Sequence, residues 1–214
     1  MKKTLFTLIT IITFLITLTA CASTEKPPRQ RDDTFIADIN SFTLDTVHLY
    51  TQRKTGKPKI NDLVISFDPR TNYVNINTKI GIDFVKIGLS YEERKSLFDA
   101  YNKYIEALYS NGIPNEKPTK KNAYTKGYAF VYWGAAGLSY GANAPYMTNA
   151  YYMEPTKPYF RITFSAGADE EEHVYSPSFS VYISPTQWET LIEMCNQEHL
   201  VALTDEILAQ ANEF

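Results

Sequence analysis

Two junctions constrain this chain most, because each runs from an apolar strand straight into a capped helix. The first is Ile87-Gly-Leu-Ser90-Tyr-Glu-Glu93 and the second is Tyr182-Ile-Ser184-Pro-Thr-Gln187. Ser90 with Glu93, and Ser184 with Gln187, have the spacing of a capping box. Pro185 suits a first helical position, and Glu92 and Glu93 suit the positive end of a helix. Leu97, Tyr101, Ile105 and Leu108 then recur on one helical face, with Gly112 as the stop. In the second helix Trp188, Leu191, Ile192 and Cys195 form the buried face. A last short helix is expected near residues 205–211, with Thr204 as its cap.

Strands are expected ahead of both junctions. Before the first they fall at residues 46–52, 63–67, 73–77 and 80–89, with Asp68-Pro-Arg-Thr-Asn72 as a turn and Ile80, Ile82 and Phe84 on one face. Before the second they fall at residues 127–133, 147–153, 159–165 and 174–183. Residues 34–112 and 127–214 therefore read as two similar halves joined by residues 113–126. The expected fold class is α+β, each half an antiparallel sheet of about four strands followed by a helix that covers one sheet face.

The start of the chain specifies a destination. Met1-Lys2-Lys3 is followed by an uncharged, Leu-, Ile- and Thr-rich run from Thr4 to Leu18. Charge and then a short apolar run is the order of a secretory signal, and the run is short for a membrane span, which needs about 20 residues. Leu18-Thr19-Ala20-Cys21 resembles the lipobox of bacterial lipoproteins. The resemblance implies cleavage between Ala20 and Cys21 and a diacylglyceryl group on the Cys21 thiol. It places the folded part outside the cytoplasm, at the periplasm or cell surface, held to a membrane by lipid. Residues 22–33, ASTEKPPRQRDD, read as a flexible tether.

Cleavage removes Lys2 and Lys3, so the 21 basic residues fall to 19 against 24 acidic ones, a net charge of −5. Such a chain has no general attraction for nucleic acid. The 16 Tyr and 12 Phe fit a sheet-rich core. With Cys21 lipidated, Cys195 has no partner for a disulfide, and it reads as a small buried residue. No cofactor is expected. His48, His173 and His199 lack metal-ligand spacing, and Asp169-Glu-Glu-Glu-His173 reads as a solvated turn, so no metal site is expected either.

Phe179-Ser-Val-Tyr-Ile-Ser184-Pro-Thr-Gln-Trp188-Glu-Thr-Leu191 is similar to the last strand and helix of the positive-cofactor-four type of transcriptional coactivator. The strand–helix duplication resembles the wider Pur-alpha and Whirly group. The resemblance implies repeats of four strands and a helix, with single-stranded nucleic acid held by aromatic and basic residues on the sheet. Lys57, Lys59, Lys79, Lys86 and Arg161 are the cations available for such a surface. Compartment and acidity argue against that partner.

Two stretches carry candidate chemistry. Gly137-Leu-Ser139-Tyr-Gly141 matches the G-x-S-x-G elbow of esterases, which requires a helix after the serine; the residues that follow, Ala142-Asn-Ala-Pro-Tyr146, read as loop. Asp169 with His173, or Asp205 with His199, are the available partners for Ser139. Residues 134–159 combine Gly, Ala, Asn and Pro with Tyr140, Tyr146, Tyr151 and Tyr152. This is the chemistry of an adaptable binding loop, suited to a protein, a glycan or a small ligand. The sequence thus points to a non-catalytic binding or structural lipoprotein. The alternatives are a small serine hydrolase using Ser139 and a sheet that binds nucleic acid or another polymer.

Overall fold

The computed structural model describes residues 35–113, 119–135, 137–169 and 174–211. Cys21, the leader and the tether lie outside them, as do Glu170 to His173. The elements in chain order are β1 (Phe42–Arg53), β2 (Lys59–Asp68), β3 (Tyr73–Ile80), β4 (Asp83–Leu89), α1 (Tyr91–Tyr109), β5 (Thr125–Ala135), β6 (Leu138–Glu154), β7 (Lys157–Phe164), β8 (Phe179–Ile183), α2 (Pro185–Cys195) and α3 (Gln197–Ala211).

All eight strands belong to one closed antiparallel barrel in which each pairs with its neighbours in sequence. Two pairings overturn the expectation of two sheet-plus-helix halves. β4 pairs with β5 across the α1 excursion, from Phe84 opposite Gly134 to Gly88 opposite Phe130. β1 pairs with β8, from Tyr50 opposite Tyr182 to Arg53 opposite Phe179, and closes the ring. The Pur-alpha- and Whirly-like arrangement is therefore not the one observed. Closure removes the unpaired edges that two separate sheets would leave exposed.

The barrel is filled by alternate residues. Leu63, Ile65 and Phe67 of β2, Val85, Ile87 and Leu89 of β4, and Phe160, Ile162 and Phe164 of β7 are all buried in one apolar cluster. Polar residues such as Asp62, Asn77 and Lys86 take the intervening positions. This is the reverse of a membrane-spanning barrel, which is apolar outside and polar within. Among the described residues no helix is long and apolar enough to cross a membrane.

Among the described residues three helices lie at the rim where β4 and β8 end. Both capping boxes form: Ser90 N–H donates to Glu93 Oε2 at 2.6 Å and Ser184 N–H to Gln187 Oε1 at 3.0 Å. Tyr101 and Tyr104 of α1 and Trp188 of α2 pack on Phe160, with ring centroids 5.8, 5.6 and 5.0 Å away. Burial pushes the Tyr101 phenol up to about 12 and moves Tyr104 in the same direction. Their hydroxyls donate to the carbonyls of Pro185 and Pro158. The remaining interior void is about 50 Å³ and apolar. That is well below the roughly 300–1,000 Å³ of a small-molecule site, so the interior is a core and not a ligand chamber.

Local expectations fail at four places, the first being the strand expected over residues 174–183, which begins only at Phe179. The strand expected over residues 80–89 is interrupted by a hairpin at Gly81, whose φ of 71° puts the backbone in the left-handed region. The reversal leaves Ile82 and Phe84 exposed and turns Val85 and Ile87 inward. The last helix begins at Gln197, and Thr204 lies fully buried inside it, its hydroxyl donating to Leu200 O at 2.7 Å. Finally, the stretch expected as a loop after Gly137 is β6, a strand of 17 residues. Pro145 fits because the N–H and C=O of a strand residue point to the same side. Its carbonyl accepts from Ser165 N–H at 2.8 Å, one residue beyond the end of β7, so the missing donor removes only one bond from the terminal rung.

Candidate functional site

The helices occupy one mouth of the barrel and side chains fill its interior, which leaves the outer wall to meet a ligand. Over β3 to β6 the register aligns outward residues in rows. One row is Asn77, Lys86, Tyr132, Gly141, and the next is Asn75, Gly88, Phe130, Asn143. Bulky rings stand beside glycines in both. A Cβ at Gly141 would lie 3.0 Å from Phe130 Cε1 and Cζ and 3.3 Å from Tyr132 Cδ1; one at Gly88 would lie 3.1 Å from Tyr73 Cδ1. The three rings lie down over the glycine backbone, an arrangement that any side chain at Gly88 or Gly141 would lift.

The result is a shallow aromatic face. Phe130 and Tyr132 have centroids 4.5 Å apart, and Lys86 Nζ stands 5.6 Å from the Tyr132 centroid. Tyr132, Tyr128 and Phe84 remain 48%, 62% and 58% exposed, so their ring faces are open to solvent. Tyr73, Asn75, Lys86, Phe130 and Tyr132 line a hollow of about 320 Å³. Burial, with help from Glu93 and Tyr132, raises the Tyr73 phenol above its usual value, so it keeps its proton and can donate. The Asp68 carboxylate and Thr71 hydroxyl also line it, so the face offers rings that stack and polar groups that hydrogen-bond.

The family comparison covers this wall and the core behind it. A family described as "Uncharacterised Treponema protein" has a model that matches residues 31–202. The chain belongs to that family. It is also similar to an "Uncharacterized protein" of Treponema pallidum (strain Nichols), 23% identical over 187 residues. That alignment takes in 86% of this chain and 63% of the relative, so the chain spans less than two thirds of the relative's length. No solved structure matches.

In this member of the family the residues singled out by sequence are scattered. Tyr140 faces Trp133, with centroids 5.8 Å apart, and Tyr146 is buried against Phe164 inside the barrel. Tyr152 lies near Tyr104 and Tyr124, and Tyr151 lies on the outer wall over Arg161. The four tyrosines share a strand and not a site. Ser139 follows the β5–β6 hairpin, opposite Gly134, and continues into strand, so the helix that a nucleophile elbow needs is not there. Asp169 accepts from Gly141 N–H at 3.3 Å, His199 and Asp205 lie on α3, and His173 is outside the described residues. His48 pairs with Asp62 at 2.7 Å on the exposed wall. Lys86 on β4 and Arg161 on β7 are separated by two strands and form no common stripe.

Sequence reasoning missed Tyr73, Phe130 and Tyr132. Their signal was present as alternation in Tyr128-Ala-Phe130-Val-Tyr132-Trp133, in which one set of aromatics must face outward if Ala129 and Val131 face the core.

Proposed function

We propose that this is a non-catalytic envelope lipoprotein, tethered through Cys21, that holds a neutral glycan chain against the outer wall of β3 to β6. The reading is carried by Phe130 and Tyr132 packed against Gly141, with Tyr132 48% exposed and Phe130 half-buried beside it. A pyranose ring presents a face of slightly positive C–H groups, which complements the negative face of an aromatic ring. Asn77 and Asn143 stand in the same rows as the rings and offer amide donors and acceptors without net charge. Rigid rings bind with little loss of side-chain freedom. Single-stranded nucleic acid also stacks on rings, but it needs a basic track along its backbone, and Lys86 is the one cation lining this hollow.

Affinity electrophoresis through gels cast with soluble polysaccharides tests the binding. A glycan that retards the wild type should lose about tenfold in affinity with Tyr132→Ala, because one stacked ring is removed while the barrel interior is untouched. Retardation that is equal in the two proteins, or absent with every glycan tried, counts against the reading.

The anchor is tested separately. Cells fed an alkyne fatty acid should label the wild-type chain, and Cys21→Ser should abolish the label and leave the precursor uncleaved. Two or more acyl chains hold a protein durably at about 0.8 kcal/mol per buried methylene, so the variant should also leave the membrane fraction if its leader is removed by another route. Full labelling of Cys21→Ser would refute lipidation at that residue.

A further inference from the structure

A second surface lies on the other side of the barrel, over β1, β7 and β8. There the outward row is Tyr50, Tyr182, Arg161, Asn149, and the next is Gln52, Ser180, Thr163. Gln52, Arg161, Thr163, Ser180 and Tyr182 of these rows, with Tyr151 and the end of β1, border a groove of about 510 Å³. Its volume suits a small molecule, unlike the interior void.

The groove is cationic in an acidic protein. Arg53, Lys54 and Arg161 line it, and among the described residues no Asp or Glu does. Arg161 is held without being neutralised. Its guanidinium carbon stands 5.0 Å from the Tyr151 centroid, and among the described residues it has no carboxylate within ion-pair distance. Its Nε is shielded from solvent and has no hydrogen-bond partner. Tyr182 is 1% exposed beneath this surface and donates its hydroxyl to Gln52 Oε1. Gln52 in turn donates to Gly56 O at 2.6 Å. Arg53 reaches Asp83 only at 3.4 Å. Thr163 and Ser180 exchange a hydrogen bond at 3.0 Å, and Ser165 and Ser178 add further hydroxyls to the lining.

A guanidinium stacked on one tyrosine over a floor made by another is fixed before any ligand arrives, and its planar fork matches a carboxylate or phosphate. We propose that this groove binds a small organic oxyanion, with Arg161 as the principal contact and Lys54 and Arg53 at the mouth. The site is independent of the glycan face, which uses other strands and other residues apart from the length of β6.

The test uses the full mature chain in detergent, titrated by calorimetry with inorganic phosphate and with citrate at constant ionic strength. Saturable binding of either is expected, and its identity tells a phosphate site from a carboxylate site. Arg161→Gln should weaken binding by about tenfold or more, and Arg161→Lys should restore only part of it. Lys54→Glu lies at an exposed position, leaves the packing intact, and should weaken binding about fivefold, so it carries the test if Arg161→Gln does not fold. Absence of saturable binding with both anions, or affinity unchanged in Lys54→Glu and in whichever Arg161 variant folds, overturns the proposal.

Discussion

Arg94→Ala is expected to destabilise the barrel by about 3–5 kcal/mol, at roughly 1–3 kcal/mol for each buried acceptor left unsatisfied, a large share of the roughly 5–15 kcal/mol that holds a typical domain together. Arg94 is 2% exposed on the first turn of α1. Its guanidinium donates to Asn72 O at 2.8 Å, Asn72 Oδ1 at 3.0 Å, Leu89 O at 3.2 Å and Gln197 Oε1 at 2.6 Å. All four acceptors are neutral oxygens. They belong to the β2–β3 turn, the end of β4 and the start of α3, so one side chain joins three separate segments at the helical rim. Burial lowers the guanidinium to about 10, which still leaves it charged at neutral pH. Asn72 has a φ of 55°, a conformation that benefits from being held by its neighbours.

Truncation takes the shared donor away from several buried acceptors at once, which costs more than losing the bonds alone. Arg94→Lys should recover only part of the loss, because a single ammonium cannot reproduce the planar fork. Urea unfolding should show a lower midpoint with an unchanged slope, and Tm should drop by about 10 °C. A loss below about 1 kcal/mol would show that the rim is held by apolar packing and not by this hub.

Much of the local structure behind that hub was legible in sequence. Ser90 with Glu93 and Ser184 with Gln187 announce both major helix starts because capping is a contact between near neighbours in the chain. The hairpin at Asp68 to Asn72 is legible for the same reason. Closure was not, because strand alternation records which face a residue takes and not which strand lies beside it. Nothing in Thr46 to Gln52 or Phe179 to Ile183 marks them as partners, yet their pairing turns two expected sheets into one barrel. The hub itself was hidden because Arg94 and Gln197 are 103 positions apart.

The candidate sites follow the same division. Residues 134–159 looked like a loop because Gly, Ala, Asn and Pro favour irregular backbone. In the barrel β5 and β7 pair with both sides of this segment, and the paired backbone outweighs that preference. Once the segment is a strand, its tyrosines must divide between the two faces, and a cluster read from composition dissolves. What replaces it depends on register: Tyr132 meets Gly141, and Arg161 meets Tyr182, only because the strands align as they do.

Alkaline unfolding should expose the other dominant feature of the core, the phenols and thiol it keeps protonated. Burial raises Cys195 from 9.0 to about 12, with Arg94 opposing the shift, and raises Tyr101 from 10.0 to about 12. Burial also raises Tyr73, Tyr104, Tyr124, Tyr146 and Tyr182. For an acid raised in the folded state the stabilisation is complete below the unfolded pKa. It is lost as pH rises, because the unfolded chain releases a proton that the folded chain keeps. Between pH 9 and 10 the Cys195 thiol is the largest single contributor, at up to about 1.4 kcal/mol per pH unit, and the tyrosines together add a comparable fall. Above pH 10 the tyrosines dominate the fall. Arg94 works the other way there, since its lowered value lets the folded state give up a proton that the unfolded chain retains. One arginine cannot offset six tyrosines and a thiol, so the net slope stays downward to about pH 12. Urea midpoints measured from pH 8 to 11.5 provide the test, with tyrosinate absorbance followed across each transition. Cys195→Ala should flatten the slope between pH 9 and 10 whatever it does to the midpoint at pH 8. A slope there equal to that of the wild type would mean that the thiol is not held protonated by the core.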